Sequence, residues 1–594
     1  MPDSHLRRSA AQLVAGVLLL ALPALPVPGL GPGGVAAQSG TGAGESPVAA
    51  PSAGESPVAT PSAGGISPAA PSAPGAGADS VPARGLRGSG SLLVPRDHWS
   101  LEALVRLDAF PGAGTAMPWG MGTPTRREVF RALAAAADGG TARSGGASGP
   151  AGGDDAADGP GAPVRATARA ALARAYLERF REESWLEEFD PEGSDPDGWT
   201  PRWISGHWDL AVGRRYGALG TGQGRYEFIP PEPLGDARHL DGNLAGALEV
   251  GRIGVAGRVQ IGEDGEPVAR EAYLAGRIRG VDLWAGRRAP AFGGTRSGSI
   301  VLGGRAPLDG GGVALAGPRT LPSFLRHLGP VRFETHVARL EESGELRRPW
   351  FWAARGSVAP HPRLALALNR AAMFGGEGNA PMTVKNVALM LLGSRARELP
   401  GDLGRSFFAN QIASLELRWR PPLERVPATV YLEWGLEDSA GAWWTVPGIV
   451  AGVQVAALPG APGVSLGIER THFAPECCEN PPWYRHAAFT GGWADGGVPL
   501  GHPLGGEGDE WLLYGRADLL DARLRTGWRL FHRDRAGDNL FMPAREGTSL
   551  GGALEVLYRV GGRTDLTLDG FYERGRGGDG WSELRAFVGF RSYF

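Results

Sequence analysis

The chain has 594 residues, 42% of them apolar and 21% charged, and a formal net charge of -3. It is long for one compact domain, and its charge balance excludes a generally basic nucleic-acid surface, so no nucleic acid is expected as a partner. The positive charge is almost all arginine, with Lys385 the single lysine, and the two cysteines, Cys477 and Cys478, are adjacent and cannot build a conventional disulfide framework.

At the start, Arg7 and Arg8 precede an apolar run at 13–25 that is too short to span a bilayer as a helix, and Val35-Ala36-Ala37 precedes Gln38. The pattern predicts a signal peptide over residues 1–37. No later stretch approaches the ~20 uninterrupted apolar residues of a spanning helix, so a mature membrane protein here must cross with strands. Residues 38–93 hold three related blocks, AGESPVAAPS, AGESPVATPS and AGGISPAAPS. With so few large apolar side chains they cannot offset the entropy of ordering, which predicts a disordered Pro/Ala/Ser-rich tether in the periplasm.

Residues 94–198 change to a helical period. Thr125 and Glu128 have capping-box spacing ahead of a helix over 129–137. A second helix over about 167–189 carries Leu172, Tyr176 and Phe180 in a stripe that needs a partner, and a short helix over 100–107 can supply it. The Gly/Ala/Asp stretch 138–163 between them is expected to be a disordered insertion. The words DHWSLEALVRL and PTRREVFRAL are similar to S-layer homology modules, which bind wall polymers; a plain periplasmic helical bundle is the favoured reading.

From about residue 199 onward the period is two. Counting alternating segments gives about eighteen strands: 203–213, 244–250, 253–261, 268–278, 281–287, 313–319, 331–341, 349–358, 363–374, 411–420, 428–434, 448–457, 463–473, 511–520, 524–533, 548–560, 564–573 and 582–594. An even number of strands suits a closed barrel. In the last segment Leu584, Ala586, Val588, Phe590 and Phe594 share one face while Glu583, Arg585, Arg591 and Tyr593 share the other. A final aromatic on such a strand is what barrel-assembly machinery commonly reads. A soluble β-sandwich would alternate too, but the secretion signal and the length favour a mainly β protein, a transmembrane antiparallel β-barrel over 199–594 preceded by a small periplasmic α-helical bundle.

Short turns at 421–427, 458–462, 521–523 and 561–563 fall on the periplasmic side if the last strand descends. Three long loops then face outward. The first, 375–410, contains an apolar stretch at 384–392 expected to be a short helix folded into the pore. The second, 435–447, contains Glu437, Asp438, Trp443 and Trp444, and the third, 472–510, contains Trp483, Tyr484, His486 and Trp493. Aromatic rings stack on the C–H faces of sugars while planar polar groups pair with hydroxyls. These eight residues, with Arg405 and Asn410 of the first loop and Gln411 just after it, are the candidate carbohydrate-binding set. The competing reading is that the aromatics pack the loops together or form the interfacial girdle.

No catalytic nucleophile arrangement is expected, and the 11 histidines are scattered. Adjacent cysteines strain tetrahedral metal geometry, so a vicinal disulfide or free pair is preferred to a site with His472 and His486. No cofactor is expected.

The runs VDLWAGRRAP (281–290), NRAAMFGGEG (369–378), FFANQIASLELRWR (407–420) and VYLEWGLEDSAG (430–441) resemble the Wzi-like capsule assembly proteins, in the same order of parts. The resemblance implies an outer-membrane barrel with a periplasmic helical bundle that acts as a non-catalytic lectin, attaching capsular or other surface polysaccharide. The expected surroundings are outer-membrane lipid and lipopolysaccharide, and the expected state is a monomer. The alternative is a porin-like channel for small solutes, with Arg525, Arg529, Glu555, Arg559, Asp565 and Asp569 lining an aqueous path.

Overall fold

The computed structural model describes residues 93–94, 98–110, 124–137, 162–183, 201–217, 237–250, 253–261, 267–343, 346–379, 382–391, 409–423, 426–437, 447–473, 483–486, 488–536, 539–541, 545–576 and 580–594. The predicted signal peptide, the tether up to residue 92 and the insertion over 138–161 lie outside these residues.

Among the described residues, eighteen long strands form one antiparallel sheet: β1 Pro201–Gly217, β2 Ala237–Val250, β3 Ile253–Ile261, β4 Pro267–Ile278, β5 Val281–Arg288, β6 Leu308–Leu315, β7 Pro330–Arg339, β8 Trp350–His361, β9 Leu364–Phe374, β10 Ala409–Trp419, β11 Ala428–Glu437, β12 Gly448–Val455, β13 Val464–Phe473, β14 Gly508–Leu519, β15 Leu524–Arg535, β16 Gly547–Gly561, β17 Thr564–Gly575 and β18 Trp581–Tyr593. The sheet closes because β1 pairs with β18 from His207↔Tyr593 to Gly217↔Glu583. Closure leaves no unpaired strand edge, the condition for putting backbone amides into hydrocarbon. At the seam the Phe594 amide donates to the Gly206 carbonyl at 3.0 Å. A Cβ at Gly206 would stand 2.5 Å from the Phe594 ring, so only glycine lets that ring lie across β1.

Alternation decides which face meets which solvent. Leu584, Ala586 and Val588 are exposed on the outside of β18 while Glu583, Arg585 and Phe587 are buried inside. On β15, Leu530 faces out and Arg525 is fully enclosed. Leu368, Leu415, Leu550 and Val588 are each more than half exposed. A wall whose exposed side chains are aliphatic has lipid, not water, as its natural surroundings. The largest departure from the expected strands is β6, which runs 308–315 rather than 313–319, because the Leu308-Asp309-Gly310 run pairs with β5 in place of the residues after Leu315.

Among the described residues three helices, α1 Trp99–Asp108, α2 Arg126–Ala137 and α3 Ala162–Glu182, precede the barrel. The capping box forms: the Thr125 amide donates to the Glu128 carboxylate at 2.7 Å and the Glu128 amide to the Thr125 hydroxyl at 3.3 Å. The stripe on α3 finds its partner on α1, where Trp99 meets Tyr176 at 5.8 Å and Phe180 at 6.3 Å between ring centroids.

These helices sit against the short-turn end of the barrel. The Arg106 guanidinium donates to Asp518 at 2.7 Å, to the Tyr176 hydroxyl at 3.0 Å, and to the Ala456 and Pro462 carbonyls, both at 2.6 Å. From α3, Arg179 reaches Asp565 at 2.7 Å, and Glu183 just beyond it receives Arg559 at 3.1 Å. Each ion is buried, so each needs its partner: a lone charge in this setting would cost several kcal/mol.

A fourth helix, α4 Val384–Leu391, corrects an expectation. It does not fold into the pore. Met390 and Val387 pack on Trp350, Trp352, Ala372, Phe374 and Ala409, whereas the alternating neighbours Phe351, Ala353, Ala371, Met373 and Ile412 belong to the lumenal core. Successive strand residues point to opposite faces, so α4 lies on the outside of β8–β10. Arg370, on that same outer face, donates to the Leu391 carbonyl at 2.6 Å and to Gln411 at 2.5 Å, and also reaches the Met390 carbonyl. A cation at the last carbonyls suits the negative end of the helix dipole. A helix this apolar gains more from the outer wall than from a lumen lined by arginine and glutamate.

Candidate functional site

Two chain segments close the barrel at its long-loop end. The first is 289–307, between β5 and β6, and the second is 483–507, leading into β14. They meet through backbone and aromatic groups: Gly303 donates to the Leu500 carbonyl at 2.6 Å, the Trp493 indole to the Val301 carbonyl at 2.9 Å, and the Tyr484 hydroxyl to the Ile300 carbonyl at 2.6 Å. That hydroxyl accepts from the His502 amide at 2.8 Å. Gly501 is required by the close approach, since a Cβ there would lie 2.4 Å from the Tyr484 oxygen and 2.6 Å from the Ile300 oxygen. Around this seam Ile300, Val301, Phe473, Trp483, Tyr484, Trp493, Leu500 and Leu504 form a buried core continuous with Phe351, Met373, Ile412 and Val450 of the inner wall.

The predicted sugar-binding residues separate into four groups. Trp483, Tyr484 and Trp493 come together, fully enclosed, as the hydrophobic centre of this cap. Glu437 joins them by accepting from the Tyr484 amide at 3.0 Å. His486 is buried against Phe489, and its Nδ1 accepts from the Ala488 amide at 3.1 Å; burial pushes its pKa down to about 4, so the ring is neutral. Asn410 and Gln411 take opposite faces of β10: Asn410 is buried in the lumen across from Met373, and Gln411 holds Arg370 beneath α4. Arg405, Asp438, Trp443 and Trp444, like Cys477 and Cys478, lie outside the described residues.

Residues 289–307 are the part of the site that periodicity did not reveal. They enter the lumen and are gripped by two carboxylates of the inner wall. Glu433 accepts from the Ser299 hydroxyl at 2.9 Å and the Ser414 hydroxyl at 2.8 Å; Glu469 accepts from the Arg296 and Ser297 amides at 2.7 and 2.8 Å and from Tyr431 at 2.6 Å. The sequence signal was available as a Gly- and Ser-rich gap, AFGGTRSGSIVLGGRAP, between two alternating segments.

Ser297, His502 and Glu469 form a constellation that invites comparison with hydrolase chemistry, and its proton order argues otherwise. His502 Nδ1 accepts from the Leu504 amide at 3.1 Å, so the ring proton sits on Nε2, 2.7 Å from the Ser297 oxygen. The imidazole therefore donates to the serine, and the serine donates onward to Glu469. A general base must accept that proton. This arrangement anchors the in-folded segment.

The in-folded segment and the helices touch inside the barrel. Glu102 of α1 meets Arg296 at 3.0 Å and also takes Arg516 of β14, tying plug, segment and wall to one carboxylate. Beside this contact lies a chamber of about 610 Å³, lined in part by Glu102, Arg296, Arg305, Tyr514, Arg529 and Glu555. Wall charges around it are paired across strands, with Arg258 on Glu271 at 3.2 Å and Arg591 on Asp209 at 3.3 Å. Among the described residues, no group of three or more His, Cys, Asp or Glu is placed to hold a metal ion.

A closed eighteen-strand wall, helices at one end and a folded cap at the other define the relatives to look for. The family model for capsule assembly protein Wzi matches residues 233–579. The chain belongs to that family. Among solved structures it is similar to Wzi of Escherichia coli, described as an outer membrane protein involved in group 1 capsule assembly and a carbohydrate-binding β-barrel; identity is 18%, the TM-score 0.58, and the match covers 84% of this chain and 99% of that one. It also matches OpdL of Pseudomonas aeruginosa at 13% identity and a TM-score of 0.40, over 66% of this chain and 99% of that one. No curated protein matches the chain. The E. coli structure supports the barrel fold of this family member, and the four runs that suggested the family overlap or fall within the matched span.

Proposed function

We propose that this family member is an outer-membrane barrel that binds surface polysaccharide and helps to attach or assemble capsule at the cell surface, without catalysing a reaction on it. The observation that carries the reading is the closed outer end: two segments seal the lumen with a buried aromatic core, so the molecule offers the cell surface a shaped face. The carbohydrate binding ascribed to the E. coli barrel supports the same use here. The helices on the short-turn end are then periplasmic, and the cap faces the medium.

We assign two roles to the predicted residues. Trp483, Tyr484, Trp493 and Glu437, with His486 beside them, fix the shape of the face, because their rings and carboxylate are enclosed. Direct stacking on sugar falls to Trp443 and Trp444, helped by Asp438 and Arg405, whose residue types suit ring faces and hydroxyls. Asn410 supports the cap from the lumen, and Gln411 supports α4.

Calorimetric titration of the full-length protein in detergent with capsular oligosaccharide tests this. Replacing both Trp443 and Trp444 with alanine is expected to weaken binding about tenfold, at about 0.5–1.5 kcal/mol for each stacked ring, with an unchanged melting temperature. Absence of binding by the unmodified protein, together with normal capsule attachment on cells lacking it, would overturn the proposal.

A further inference from the structure

Helix α4 carries more than a correction to the sequence reading. It lies on the outer face of β8–β10, yet its own outer side is apolar: Val384 is 88% exposed and Leu391 more than 40%, as is Met382 just ahead of the helix. An aqueous loop has no reason to present such a surface. The exposed positions continue a surface that already faces lipid, since Leu368 and Leu415 lie on the same faces of β9 and β10 just below.

Height along the wall is set by the pairing. Arg370, which caps the C-terminal carbonyls of α4, stands four residues below the top of β9, and Trp350, paired with Phe374 at that top, carries the Arg339 guanidinium 4.7 Å above its ring. A tryptophan paired with a cation marks the boundary between acyl chains and headgroups. The only charge on α4 is Lys385, in its first turn, long enough to reach from an apolar layer to phosphate.

We propose that α4 is an interfacial helix seated in the outer leaflet, with Met382, Val384 and Leu391 among lipid acyl chains and Lys385 directed to the headgroup phosphates. It rests on the reading of the chain as an outer-membrane barrel. The helix then widens the lipid contact of β8–β10 on one side of the barrel and fixes the height of the first outer loop relative to the bilayer.

Site-directed spin labelling of the full chain in phosphatidylcholine vesicles tests this, in a background with Cys477→Ser and Cys478→Ser. Labels are placed singly by Val384→Cys, Leu391→Cys, Leu415→Cys on the barrel wall and Glu341→Cys at the outer rim. The ratio of oxygen to water-soluble nickel-chelate accessibility at Val384→Cys and Leu391→Cys is expected to match Leu415→Cys and to exceed Glu341→Cys several-fold. Water-like ratios at both helix sites with a lipid-like wall site overturn the inference and leave the membrane reading standing. A water-like wall site overturns the membrane reading itself. Two helix sites are used so that a poorly folding variant at one leaves the other to decide.

Discussion

The two ends of the barrel are closed by opposite means. At the short-turn end, α1 and α3 are held by buried ions: Arg106 with Asp518, Arg179 with Asp565, and Arg559 with Glu183. At the long-loop end the cap is held by buried rings and backbone hydrogen bonds around Trp493, Tyr484 and Gly501. Ion pairs demand fixed geometry and fail abruptly when one partner is lost, whereas an apolar seam loses stability in proportion to the surface removed. The helical end is built as a permanent stopper, and the cap as a shaped surface whose outline depends on packing.

Removing one ion should give the largest effect. Asp518→Ala leaves Arg106, Arg516 and Arg525 facing an empty position and is expected to cost about 3–5 kcal/mol. Thermal unfolding in detergent measures the loss, and protease cleavage between α1 and α3 shows whether the helices have come away. At the other end, Trp493→Ala removes a buried indole at the seam and is expected to cost about 3–4 kcal/mol. Its cleavage should appear within 483–507 while the helices stay protected. Gly501→Ala is milder, about 2–3 kcal/mol, because the added methyl must displace the Tyr484 hydroxyl. Loss of oligosaccharide binding without loss of the helical plug is the expected signature of both cap variants.

Acidity should separate the ends further, with the smallest effect. In the cap, burial raises Asp495 from 3.8 to about 6 although it accepts from the Glu341 amide. The folded cap holds this proton more tightly than the unfolded chain, so the contribution is complete below pH 3.8 and is lost as pH rises through about 6, a change on the order of 1–2 kcal/mol. Burial also pushes Glu102 upward, but Arg296 and Arg516 together outweigh it and hold the carboxyl at about 2. Its contribution is present above 4.5 and disappears only as pH falls toward 2. Hydrogen exchange at pH 4 and pH 7 should therefore show a tighter hairpin at Ala494–Asp495 and Val498–Pro499 under acid, with only a small loosening where Glu102 meets Arg296. Asp495→Asn should erase the difference. Planar-bilayer recording should find no steady conductance in the unmodified protein, because both ends are filled.

Much of the wall was legible because a lipid-facing strand obeys one strong rule, a side chain of alternating solvent every residue. That rule located all eighteen strands, and the short turns located the helical end. The same rule says nothing about 289–307, which lacks a period because it contacts the lumen with amides and hydroxyls as much as with side chains of one polarity. Nor does residue chemistry separate a ring that stacks on sugar from one that packs a loop: Trp483 and Trp493 carry the same indole in either role, and only enclosure distinguishes them. Helix α4 was visible as an apolar run, yet its side of the wall depended on the partner residues, Trp352 and Phe374 rather than Phe351 and Met373.

The bond between Arg106 and Asp518 joins positions 412 residues apart. That distance along the chain fixes an order of events. The helices leave the ribosome first, but the carboxylate they require arrives only when the fourteenth strand is in place, so the stopper can set only late in assembly. Until then its arginines have no buried carboxylate to meet and keep their water.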